Sequence, residues 1–174
     1  MSERLRTSFF PREASDPYKL PDFDAENLEE LGEAISAALS EIRAETGIDR
    51  TALVSGKIGA STHDQERMNR QRLLDYANKA RLLNKDLILI SFSDFFGEKN
   101  DLYNKVTRHF EQTTERRDAL CDFSVQFVWR EISDLVLTPG WETSQGSRLE
   151  YEAATAKNCR IYLPEKHPDM IFAK

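Results

Sequence analysis

Leu87-Ile88-Leu89-Ile90, set between Asp86 and Ser91-Phe92, narrows the folds open to this chain more than any other stretch. Four consecutive apolar residues leave no polar face, so a strand built from them is buried on both sides. Strands of that kind lie inside parallel sheets, where crossover helices cover both faces. The surrounding pattern supplies those crossovers. Asn27 with Glu30 reads as a capping box, and Leu28, Leu31, Ile35, Leu39 and Ile42 follow at helical spacing until Gly47. Thr51–Ser55 reads as a short buried strand. Thr62 with Gln65 then opens a second helix carrying Met68, Leu73, Ala77, Ala80 and Leu83. Asp86–Phe92 is the clearest strand. Residues 101–133 are mainly helical, with a break expected in the polar stretch Gln112–Arg117 because thirty residues is long for one globular helix. Asp134–Leu137 is a third strand, residues 147–157 a helix, and Arg160–Leu163 a fourth strand stopped by Pro164.

Alternation of helix and strand implies right-handed βαβ crossovers. The expected fold class is therefore α/β, with a doubly wound, flavodoxin-like or Rossmann-like parallel sheet of four to five strands. Residues 1–26 carry Pro11, Pro17 and Pro21 without periodicity and read as an extended N-terminal arm, which Phe9, Phe10 and Phe23 would pin to a neighbouring surface. Residues 27–50 read as an N-terminal helix, residues 51–174 as the α/β domain, and 165–174 as a loosely held tail.

The formal net charge is −6 over 174 residues, which argues against backbone binding to nucleic acid. No apolar run reaches the ~20 residues that span a membrane, and the N-terminus lacks the apolar core of a signal peptide. Cys121 and Cys159 have no paired-motif spacing and read as free thiols of a reducing cytoplasm. His63, His109 and His167 are scattered, so no metal site is expected.

The chemistry concentrates after the third strand, in Thr138-Pro139-Gly140-Trp141-Glu142-Thr143-Ser144-Gln145-Gly146-Ser147-Arg148-Leu149-Glu150. Ligands of open α/β sheets bind where such a strand passes into its helix. Ser144-x-Gly146 either caps the helix or brings backbone N–H groups to an anion. Glu150 falls in the first turns of the helix, where the dipole alone justifies a carboxylate or where it reaches the crevice. Trp141 is either a packed loop aromatic or a stacking surface for a base. Gly56-Lys57-Ile58-Gly59, after the first strand, is either a plain turn or a loop approaching a phosphate, and it has neither the P-loop nor the dinucleotide spacing.

The segment Phe127–Ala154 resembles the DUF4406 branch of the nucleoside 2-deoxyribosyltransferase-like superfamily. The likeness lies in Asp134 before an apolar strand, Pro139-Gly140-Trp141, Ser144-x-Gly146 and Glu150. It is specific over residues 133–154 and looser over 51–164, where Leu53-Val54-Ser55-Gly56-Lys57-Ile58 is similar to the family's opening strand and glycine. The resemblance implies cleavage of an N-glycosidic bond in a nucleotide or nucleoside, by hydrolysis or deoxyribosyl transfer. It makes Glu150 the nucleophile and gives Asp134 a part in shaping the sugar site. It places the 5′-phosphate on Ser144 and Gly146 and assigns phosphate- and sugar-side contacts to the 56–59 loop. It implies no cofactor, and a homodimer or higher homo-oligomer. Leu53 stands where active relatives carry a tyrosine, and Lys57 where they have a small residue or proline. That departure sets a second reading beside the enzyme, a non-catalytic nucleotide-binding sensor on the same scaffold. A third is an interaction protein using residues 1–46 as a docking arm.

Overall fold

The structure is a computed structural model, and it describes residues 20–96 and 101–164. Most of the N-terminal arm, the loop 97–100 and the tail 165–174 lie outside the described residues.

Helix α1, Leu28–Thr46, starts where Asn27 accepts a hydrogen bond from the Glu30 amide at 2.9 Å, while Glu30 accepts from the Glu26 amide. It ends at Gly47, whose φ of 70° is the left-handed conformation that glycine adopts without a Cβ penalty. Strand β1 spans Thr51–Ser55 and helix α2 His63–Leu83. Thr62 caps α2 from one side only: it accepts from the Gln65 amide, but the Gln65 side chain turns forward to Asn69 rather than back to the cap. Strand β2 is Ile88–Ser91. Phe92, expected in the strand, begins helix α3, Phe92–Phe96, because the Ser91 side chain accepts from the Ser93 amide and turns the chain. Helices α4, Asp101–Thr107, and α5, Thr113–Glu131, divide the long helical stretch. The break falls at residues 108–112, earlier than expected. Residues 113–117 instead form the first turns of α5, where Glu115 accepts from the Gln112 amide. Strand β3 is Asp134–Leu137, helix α6 Gln145–Ala156 and strand β4 Arg160–Tyr162, with a 3-10 turn at Trp141–Thr143 between β3 and α6.

The four strands form one parallel sheet in the order β2-β1-β3-β4. This is the doubly wound arrangement. Ala52, Val54, Leu89 and Val136 pack against Leu73, Ala77 and Ala80 of α2 on one face. Leu53, Ile88, Ile90, Leu135 and Leu137 pack on the other face against α1, α5 and α6. Helix α1 is no appendage to this domain. Leu31, Ile35, Leu39 and Ile42 are fully buried in the same core as β1 and β3. Arg43 fastens it further, donating to Glu131 and, at 2.9 Å, to the Thr51 hydroxyl.

Candidate functional site

In the order β2-β1-β3-β4, the connections after β1 and β3 depart to opposite faces of the sheet, so a crevice opens between their C-terminal ends. Ser55 and Gly56 form one wall and Thr138 the other, joined by a 2.9 Å hydrogen bond from the Thr138 amide to the Ser55 carbonyl. The approach is close enough to require glycine. A Cβ on residue 56 would overlap the Thr138 hydroxyl and lie 3.3 Å from Leu73 Cδ1. Gly56 is thus explained by packing between the two strands.

The first turn of α6 stands over the crevice. Ser144 is its N-cap, accepting from the Ser147 amide at 3.3 Å. Three residues beyond Ser147, Glu150 lies on the same face of the helix, and both point inward. Alternation along β1 places Ser55 on the face of Leu53, toward α5 and α6. The Ser55 hydroxyl meets Glu150 Oε2 in a short hydrogen bond and lies 3.0 Å from the Ser147 hydroxyl. Ser124 of α5 lies close enough to the Glu150 carboxyl to favour its charged form. Its hydroxyl donates to the Cys121 carbonyl at 2.9 Å, which occupies its single proton.

Glu150 is 4% exposed, and its partners are hydroxyls rather than a cation. Burial disfavours its charged form and raises its pKa from 4.5 to about 7, against the opposing pull of Ser55 and Ser124. A carboxyl tuned to neutrality can be ionised for nucleophilic attack or protonated for acid catalysis within the same pH range. Burial, and after it the charge of Glu150, raises the pKa of the nearby Cys121 thiol.

The structure brings Glu150, Ser144, Gly146 and Gly56 to one edge of the sheet. Lys57 and Gly59 are exposed on the loop that leaves that edge, and Ile58 packs toward α2 while its carbonyl accepts from Asn69 at 3.1 Å. Trp141 packs on Tyr151 of α6, ring centroids 4.9 Å apart, which makes it a partly buried loop aromatic. Its indole Nε1 is buried without a hydrogen-bond partner.

Asp134 is not part of this constellation. It pairs in register with Ala52, three residues before Ser55, which puts it about 10 Å back along the sheet. It also shares the α2 face with Val136, whereas Glu150 lies on the other. Arg50 occupies it from two nitrogens, and the Ser133 and Tyr162 hydroxyls complete its partners. Asp134 therefore anchors the N-terminal edge of the sheet and does not shape a sugar site.

Ser55, Ser124 and Ser147 are the site residues that sequence reasoning missed. Two left a signal: Ser55 is the polar end of an apolar strand, and Ser147 stands three residues before Glu150 on a helix. Ser124 left none, because it arrives from a different crossover. Among the described residues, no group of three or more His, Cys, Asp or Glu side chains is placed to hold a metal ion, and no helix is long and apolar enough to cross a membrane. No protein-family model, curated protein or solved structure matches the chain significantly.

Proposed function

We propose that the chain cleaves the N-glycosidic bond of a nucleotide or nucleoside, with Glu150 as nucleophile. The observation that carries this reading is a carboxyl at the switch point of a doubly wound sheet, held by hydroxyls and tuned to about pH 7. The ionised Glu150 attacks the anomeric carbon, the C–N bond breaks, and the base leaves with the bonding pair and takes up a proton. Water then releases the sugar from the glutamyl ester, or a second base accepts it. The first turn of α6, with Gly146 open beside Ser144, offers backbone N–H groups and the positive end of the helix to a 5′-phosphate. The unpaired Trp141 indole N–H is a further donor for a ligand acceptor. Assembly as a homodimer or higher oligomer belongs to the same reading.

A second reading, a nucleotide-binding module without turnover, is favoured by one feature. At 4% exposure, Glu150 is enclosed by α5, α6 and β1 rather than open to a sugar. Chromatography of base release from ribo- and deoxyribonucleoside 5′-monophosphates separates the two. Release lost in Glu150→Gln supports the enzyme and names its substrate. Calorimetric binding without release supports the module.

A further inference from the structure

We propose that Ser55 is a positioning residue: its hydroxyl, backed by those of Ser147 and Ser124, fixes the Glu150 carboxyl at the crevice and selects its ionised form. The inference rests on the reading of Glu150 as the reacting group.

The geometry leaves Ser55 little other employment. It ends β1, is 3% exposed, and turns its hydroxyl into the α5–α6 layer, where its neighbours are Ser147 and Glu150. A hydroxyl has one proton to give. When Glu150 is ionised, Ser55 donates to the carboxylate and accepts from Ser147, so the three groups form a directed chain, Ser147 to Ser55 to Glu150. The chain binds the anion more strongly than the acid, because bonds to a charged acceptor are the stronger ones. When Glu150 is protonated it becomes a donor itself, and the chain must reverse or break. Ser124 stands near the same carboxyl from α5 but gives its proton to the Cys121 carbonyl, which leaves Ser55 as the principal donor.

The titratable and charged surroundings keep this control with the hydroxyls. Helix α5 presents the Cys121 thiol, itself held neutral by burial and by Glu150. Strand β1 presents Ser55 and α6 presents Ser147. Among the described residues, no cation bonded to Glu150 competes with them for the anion.

The test is a carbon-13 NMR titration of the Glu150 carboxyl in the full chain, assigned by its loss in Glu150→Gln, for wild type, Ser55→Ala and Ser55→Thr. Ser55→Ala is expected to move the midpoint upward by about one pH unit, as loss of one charge-assisted hydrogen bond requires. Ser55→Thr, which keeps the hydroxyl, is expected to restore it. An unchanged midpoint in a folded Ser55→Ala protein overturns the proposal. If that variant does not fold, Ser147→Ala replaces it. Removing the donor to Ser55 is expected to give a smaller upward shift, and no shift overturns the proposal. Base release followed against pH gives the second readout, its acid limb moving with the NMR midpoint. A shifted midpoint in a protein that releases no base supports the hold of Ser55 on Glu150 and removes the glycosidase reading alone.

Discussion

Glu150 ionises against its surroundings, and that has a measurable effect on stability. Its carboxyl is raised from 4.5 to about 7 in the folded chain. Below pH 4.5 both folded and unfolded forms hold the proton. Between 4.5 and 7 the unfolded chain loses it while the native state keeps it, so stability falls as pH rises, by about 3 kcal/mol from this one group. Glu150→Gln removes that slope. Urea unfolding at pH 4 and pH 8 should therefore show the variant gaining on wild type at the higher pH. Parallel curves would mean that Glu150 titrates normally. Ser144 yields a second expectation. As N-cap of α6 it stabilises the helix by ~1 kcal/mol, so Ser144→Ala lowers the urea midpoint. If its turn also holds phosphate, the same variant weakens monophosphates more than free nucleosides in calorimetry. Equal weakening of both confines Ser144 to capping.

At the scale of elements, the decisive contact is the close approach of β1 and β3 at Gly56 and Thr138. Gly56→Ala forces Thr138 or Leu73 to move, an overpacking cost of about 1–3 kcal/mol measurable in urea. An unchanged midpoint would show that the crevice walls yield freely. Elements with local signals were legible in the sequence. The cap at Asn27, the stop at Gly47 and the apolar run at 87–90 each fixed a helix end or a strand from neighbouring residues alone. Asp134 was misread because sequence shows that it opens a strand without showing which end of the sheet that is. Strands run toward the crevice, so the first residue of β3 lies far from it and the residues after its last lie beside it. Glu150 and Ser144 stood out through a motif that runs from the N-cap into the first turns of one helix. The hydroxyls around Glu150 were not, because they converge from three elements separated by long crossovers.

At the scale of the molecule, the first helix shares the core that covers one face of the sheet. Leu39 is fully buried among residues of β1, β3 and α5, so Leu39→Ala should cost about 2–5 kcal/mol. A loss under about 1 kcal/mol would place α1 outside the cooperative unit. The same packing bears on function. Helix α5, which carries Ser124, is held on one side by α1 through Arg43 and Glu131. On the other it is held by Lys157, which donates to the carbonyls of Val128 and Ile132 at its C-terminal end. The carboxyl and its hydroxyls are thus framed by three layers of one fold. The most direct test is the rate of base release from a nucleoside 5′-monophosphate between pH 5 and 9, in wild type and in Glu150→Gln. A glutamate nucleophile of this pKa gives a rate that climbs to a plateau above about pH 7 and vanishes in the variant. Release that persists in Glu150→Gln would contradict it.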